Sequence, residues 1–290
     1  MRMSAKNMRR KQRGVALLVV LWGSTLAAIV LGALAINAHV EGLQARAQVD
    51  QAQTFYAAEA GLEQAVYNLH LKDDARRWIS DGRSYRLDVG NILVQVSVMD
   101  DDGKINLNQA DPALIGKLLV ASGADPDRAA TIVQAMKRWG EADQGVERPQ
   151  FLAAGGFASI EELQRLPGMD QALYRRIESS LTLWQSGGSP NLSHASAPVV
   201  AAISNVSLGQ ASDFVRAREA MAAPVTRLPP LPGGITSLAS PGTSGVVSIT
   251  SQTKLADGVS TRLRATVRLT SEPGDRHTYR VLRWQVDAGT

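Results

Sequence analysis

Twenty-four consecutive residues without a formal charge, Val15 to Ala38, constrain this chain more than anything else in it. As a helix rising ~1.5 Å per residue they cross a ~30 Å hydrocarbon core with a little to spare. Before them stand Arg2, Lys6, Arg9, Arg10, Lys11 and Arg13, with no acid among them. Lys and Arg are retained on the cytoplasmic side, so the short N-terminus is expected inside and the bulk of the chain outside. Three readings compete. A secretory signal peptide would be cut near Ala33-Leu34-Ala35, but the apolar run is longer than the ~7–15 residues such peptides use. A plain membrane anchor would be kept whole. In the third reading, cleavage falls after Gly14 and the apolar helix stays in the mature protein.

The residues at the junction bear on that choice. Lys11-Gln12-Arg13-Gly14-Val15-Ala16-Leu17-Leu18 resembles the leader of type IV pilins and type II secretion pseudopilins, a short basic stretch ending in Gly before a long apolar helix. The resemblance implies a prepilin peptidase that cuts after Gly14 and methylates Val15 as the new N-terminus. Most members carry Glu at the fifth mature position, which here is Val19. In the family that Glu is thought to meet the N-terminal amine of a neighbouring subunit. A carboxylate buried among apolar helices without a partner is costly. A subunit at the filament end lacks that neighbour, so an apolar residue suits it. Lack of this Glu is a habit of the general secretion pathway protein K family, and Val19 is expected to specify the tip.

Composition agrees with an exported, anchored chain. The charge of +4 is a property of the leader, which holds six of the 31 Lys and Arg and none of the 27 acids; without it the chain stands at −2. The basicity is a targeting device and not a nucleic-acid surface. There are no cysteines, so neither disulfides nor thiolate metal sites enter the fold.

Past the membrane the helix is expected to continue to about Leu71. Residues 41–71 contain no Pro and two Gly, and Phe55, Leu62, Val66 and Leu69 recur at helical spacing. A break near Gly42 is the competing reading. The segment Phe55 to Glu63 also resembles the stem of pilus-type subunits. Tyr85–Val89 and Ile92–Val98 then read as strands around a Gly90-Asn91 turn. They lead into Asp100-Asp101-Asp102-Gly103-Lys104. The spacing fails the EF-hand pattern, since Gly stands fourth and Asp111 twelfth from Asp100. A solvated turn is the reading the residues favour. The family resemblance raises calcium, with Asp100, Asp101 and Asp102 as the candidates.

From about 105 to 222 helical signals replace strand signals. A weak internal repeat pairs Asn106–Pro112 with Asn191–Pro198, each placing helix-capping residues and a Pro before an apolar run. Between the copies, Phe157 to Met169 and the helix Gln171 to Ile177 resemble a helix-hairpin-helix, with Ser159 and Glu162 spaced as a capping box. That raises a rival reading, a membrane-anchored DNA-binding protein of the competence type. Asp170, where such hairpins usually carry a second Gly, puts an anion against the phosphate, and no surplus of Lys and Arg remains after leader removal. The K-type family is known for a helical insert with the same Asn-Leu-Asn start and Leu-Pro-Gly-Met hairpin.

Residues 223–245 form a Pro/Gly-rich linker. Val246–Thr253, Thr261–Leu269 and Tyr279–Val286 alternate as strands, with Asp257-Gly258 and Pro273-Gly274-Asp275 as turns. On strict alternation Val281 shares a face with Arg283 and Gln285, opposite Leu282, Trp284 and Val286. His39, His70, His194 and His277 form no metal or catalytic motif, and no phosphate-binding Gly loop follows a strand, so no enzyme is expected.

The expectation is an α+β, pilin-like fold: a long N-terminal helix packed on an antiparallel sheet, with a large helical insert. Its divisions are leader 1–14, transmembrane stem 15–40, outer stem and first strands 41–104, insert 105–222, linker 223–245 and closing strands 246–290. The resemblance implies a minor pseudopilin in the inner membrane, N-terminus cytoplasmic and head periplasmic, at the pseudopilus tip. Implied partners are the I-, J- and H-type minor pseudopilins, the major pseudopilin, the inner-membrane assembly platform, the outer-membrane secretin and the prepilin peptidase. A minor type IV pilus subunit stays open beside it. No nucleic-acid partner is expected.

Overall fold

The computed structural model describes residues 9–142, 156–185, 189–221, 227–231, 244–270 and 278–289. Most of the linker and the Pro273-Gly274-Asp275 turn, together with His277, lie outside them, as do residues 1–8 of the leader. The chain falls into two units, 1–53 and 54–290. Helix α1, Arg9–Leu69, has no break at Gly42. In the first unit it is a bare helix whose apolar side chains meet nothing: Val15, Leu18, Val19, Trp22, Leu26 and Ile29 are all exposed.

In the second unit the last turns of α1 lie on one face of a five-stranded antiparallel sheet. The strands are β1 (Asp81–Val89), β2 (Ile92–Asp100), β5 (Val246–Lys254), β6 (Ser260–Leu269) and β7 (Tyr279–Gly289), in that spatial order. The Gly90-Asn91 turn closes the β1–β2 hairpin as expected, pairing Val89 with Ile92. Period-two alternation puts Val94, Val96 and Val98, Val247 and Ile249, and Leu263, Ala265 and Val267 on the helix side. They bury Ala58, Leu62 and Ala65 of α1 completely. Contact is closest at Gly61, where a Cβ would come within 2.5 Å of Ser251 Oγ and 2.7 Å of a Val94 methyl. Any larger residue there would lift the helix off the sheet.

A bulge between Thr266 and Val267 changes β7 from the alternation read in the sequence. Arg283 pairs with Thr266 but Val281 pairs with Val267, which leaves Leu282 as the extra residue. Val281 therefore joins Trp284 and Val286 on the helix side, and Arg283 and Gln285 face the other way.

Between β2 and β5 the chain builds a second core. Its elements are β3 (Ile105–Asn106), α2 (Pro112–Ala121), α3 (Pro126–Ala142), a 3-10 turn (Ile160–Arg165), α4 (Gln171–Ile177), β4 (Leu181–Thr182), α5 (Ala197–Ser204) and α6 (Leu208–Glu219). Leu118, Leu119, Ile132, Leu163, Leu173, Ile177, Val199 and Val200 are buried together in it. At ~1.5–3 kcal/mol for each fully buried side chain of this size, such a cluster is a folding unit's worth of driving force.

The internal repeat is real at the level of hydrogen bonds. Asn106 Oδ1 accepts from Asn108 N and Asn106 O from Ala110 N; Asn191 Oδ1 accepts from Ser193 N and Asn191 O from Ala195 N. Each Asn folds its own backbone into a turn that aims the following Pro-led helix. The capping box at Ser159 does not form. Ser159 makes no cap bond, the turn is 3-10, and Glu162 reaches back to Ala158 N instead.

Candidate functional site

Several places in the structure hold the residues that the sequence singled out. The first is the exposed stem. Val15, Val19, Trp22, Leu26 and Ile29 recur every three or four residues, so they share one stripe of α1. Ser24 and Thr25 interrupt the apolar run without leaving an unsatisfied hydroxyl, because each donates to a carbonyl one turn back, Leu21 O and Trp22 O. Gly14 lies inside the helical segment, and Val15, the expected mature N-terminus, is 63% exposed.

The second is the Asp100-Asp101-Asp102-Gly103-Lys104 turn, where the sheet meets the insert. The expected solvated turn is not what forms: Asp100 and Asp101 are fully buried. β2 ends by tucking its last residues under both later parts of the chain, and every carboxylate has donors. Asp100 accepts from Asp102 N at 3.0 Å and from Ser244 N at 3.1 Å and Ser244 Oγ at 2.5 Å. Asp101 pairs with Lys104 Nζ at 2.7 Å and accepts from Ser248 Oγ and Thr182 Oγ1. Asp102 accepts from Asn191 Nδ2 and shares a 2.6 Å hydrogen bond with His194 Nδ1. Gly103 leaves no room for a side chain, as a Cβ would sit 2.4 Å from His194 C and 2.7 Å from Ala195 N. The turn thus ties β2, β5, the end of the hairpin and the second repeat at one point.

Asp100, Asp102 and His194 hold ligand atoms within 4.8 Å of one another, so a metal has to be considered. Calcium does not fit them. It takes ~6–8 oxygen ligands, whereas this set includes an imidazole and carboxylates already filled by N–H and O–H donors. Asp101, the third residue named from the sequence, is held by the ammonium of Lys104.

The insert is fastened to the outer face of the sheet by ion pairs. Glu178 meets Arg264 and Arg283, and Glu161 accepts from Arg283 and from Gln285. Burial raises the Glu161 carboxyl, but a backbone hydrogen bond and the guanidinium of Arg283 outweigh it and hold the group below its ordinary value. Tyr174, beside them, is pushed up to about 12 by burial and then by the charges of Glu161 and Glu178.

Two arginines with no sequence motif complete the joint. Arg218 of α6 is 1% exposed and donates to Leu192 O, Ala195 O and Asp81 O, so α6 is pinned both to the repeat turn and to the start of β1. Arg83 takes Asp81 through two nitrogens and reaches Met221 O. Neither role was readable in advance, because an Arg on an amphipathic helix or strand reads as a solvated charge. His194, without a motif in the sequence, is likewise part of the joint.

The helix-hairpin-helix turn is engaged from within. Arg128 of α3 donates to Gly168 O at 2.7 Å and pairs with Asp170 at 2.6 Å, and Asp170 caps α4 through Leu173 N. Arg176 of α4 answers it by donating to Ser122 O at the end of α2. The Asp170 carboxylate thus holds both the Arg128 guanidinium and a backbone N–H at the start of α4.

An exposed helix long and apolar enough to cross a membrane, whose last turns pack on an antiparallel sheet, with a helical insert between two sheet strands, makes a pilin-like α+β fold. Residues 86–186 match the family described as type II secretion system (T2SS), protein K. The chain is 27% identical to type II secretion system protein K of Pseudomonas aeruginosa over 73% of its length and 74% of that protein. It is 27% identical to the Klebsiella pneumoniae protein of the same name over 59% and 62%. The fold matches, with a TM-score of 0.51 at 14% identity over 85% of this chain and 99% of the other, a chain in the crystal structure of the GspK-GspI-GspJ complex of the enterotoxigenic Escherichia coli type 2 secretion system. These matches bear out the recognition made from the sequence: the chain is similar to type II secretion system protein K in sequence and in fold.

Proposed function

We propose that the chain is the K-type minor pseudopilin of a type II secretion system. It would stand at the tip of the pseudopilus and, with I-, J- and H-type subunits, start and cap the filament that drives protein export across the outer membrane. The observation that carries this reading is the family match over 86–186, which falls on the insert and its junction with the sheet and not on the stem shared by all pilin-like proteins. Assembly with I- and J-type partners is supported by the solved complex that contains the similar fold.

In this reading the mechanism is packing. After cleavage behind Gly14, the stripe of Val15, Val19, Trp22 and Leu26 lies among neighbouring stems in the inner membrane, and the head lies in the periplasm. Val19 at the fifth mature position carries no carboxylate to meet a subunit above it, and the insert gives the head a bulk that ends the filament. Residues 105–222 act as one cap because the acidic turn, Arg218 and the Glu161 and Glu178 pairs bind them to the sheet. No chemistry is assigned to the chain. Calcium is given no ligand role at Asp100, Asp101 or Asp102; titration calorimetry with calcium, comparing the natural chain with Asp102→Asn, would contradict this if the variant alone lost binding. Gold labelling of overgrown pseudopili tests the placement: label at one end is expected, and label along the shaft refutes a tip role.

A further inference from the structure

The sheet is too wide for the helix that covers it. Five strands ~4.8 Å apart make a face about 19 Å across, whereas a helix with its side chains is about 10–12 Å wide. α1 seals β2, β5 and β6. On the β1 side the remaining gap is closed by Trp78, Leu87 and Val89, which pack against the core. On the β7 side nothing among the described residues closes it. Val281, Trp284 and Val286 stand opposite Val267, Ala265 and Leu263 in register. Those β6 partners are 0%, 3% and 0% exposed, while the β7 residues are 48%, 37% and 42% exposed. A row of three large apolar side chains thus continues the core face one strand further and ends in water, on the edge strand of the sheet.

The wall of this groove is the side of α1 that turns toward β7. Tyr279 at the start of β7 donates to Glu63 Oε1, and the charges of Glu63 and Glu59 both act on that phenol. Glu59 and Glu63 are one turn apart, and among the described residues neither is paired with a Lys or Arg. The site therefore has an apolar floor one edge strand wide, ~5 Å, open on its outer side, and an acidic wall.

We propose that this groove seats one α-helix of a neighbouring pilin-like subunit, the half of its stem just outside the membrane. That helix would lay an apolar stripe on Val281, Trp284 and Val286 and set a Lys or Arg against Glu59 and Glu63. The occupant is a helix and not an added strand because the free side chains lie on the sheet face, where a second layer packs. That it is a stem rests on the function proposed above, since in a bundle of stems the element running beside α1 is another stem.

The chain has no cysteine, so single cysteines report cleanly. Full-length chain carrying Val286→Cys, and separately Trp284→Cys, is produced in the inner membrane with the I- and J-type subunits of its own system. Each subunit carries one cysteine, scanned along the outer half of its stem. Oxidation is expected to give disulfides that recur every three or four residues in one of the two stems. Their yield should fall at least fivefold with Glu59→Lys and Glu63→Lys together, and return when the facing cation of the partner is changed to Glu. Leu93→Cys, exposed on β2, should give none. Cross-links without helical period, cross-links to partner strands or to a second copy of this chain, or no cross-link, overturn the proposal. If the three chains still co-purify in those cases, the groove assignment fails and the functional reading stands; if they do not associate at all, both fail.

Discussion

Removing the Asp101 carboxylate should be among the most damaging single changes in the head. Asp101 is fully buried and the Lys104 side chain beside it is 7% exposed, so Asp101→Ala leaves an ammonium without its counter-charge in a site closed to water. Breaking a buried pair in this way costs ~3–5 kcal/mol. Thr182 Oγ1 also loses its acceptor, whereas Ser248 keeps Thr266 as a partner. An orphaned buried hydroxyl adds ~1–3 kcal/mol. Asp101→Ala together with Lys104→Met removes both charges, so the ammonium penalty disappears and only the hydroxyl term and a packing defect remain, about 2 kcal/mol in all. The double variant is thus expected to be more stable than Asp101→Ala alone, which no additive scheme allows. Urea unfolding of the detergent-solubilised chain, followed by tryptophan fluorescence, measures the series. A loss below about 1 kcal/mol for Asp101→Ala, or a double variant that loses the sum of the two singles, would show that the turn is solvated and the joint misassigned.

Arg218→Ala should strand three carbonyls and cost ~3–5 kcal/mol; Arg218→Lys should not rescue it, because one ammonium cannot span Leu192, Ala195 and Asp81 in the geometry of a planar fork, and hydrogen exchange should quicken at both 80–83 and 192–195. The depressed Glu161 carboxyl contributes stability that is fully present above the unfolded carboxylate value, ~4.3, and is lost as pH falls through the lower folded value. Unfolding midpoints measured from pH 6 to pH 3 should therefore fall more steeply for the natural chain than for Arg283→Gln, and identical slopes would remove Arg283 as the cause. Gly14→Ala should leave the leader attached; mass spectrometry of the membrane-extracted protein reading a Val15 N-terminus in that variant would refute cleavage there.

The elements that local rules govern were legible. The uncharged run, the Gly90-Asn91 hairpin and the Asp111-Pro112 helix start each follow from residues a few positions apart and each formed as read, whereas in the second copy of the repeat Ser196 starts α5 without a side-chain cap bond. The insert could be told from the sheet because helical and strand periods differ. What failed was read over the same short range but decided elsewhere. Asp100 to Lys104 looks like a solvated turn until Thr182, His194, Ser244 and Ser248 arrive from as far as 147 positions away. Val281 changed faces because a bulge in a neighbouring pair inserted Leu282, and no alternation pattern on β7 alone encodes that.

By itself the sequence determined that a long apolar helix precedes an α+β head, since helix length, hydropathy and strand period are set by nearest neighbours along the chain. Only the tertiary structure decided which charges are surface and which are joints. Desolvation depends on what the fold brings over a residue, so Arg218, His194 and Asp101 acquired their roles when distant segments closed upon them, and Trp284 and Val286 were left in water because one helix cannot cover five strands.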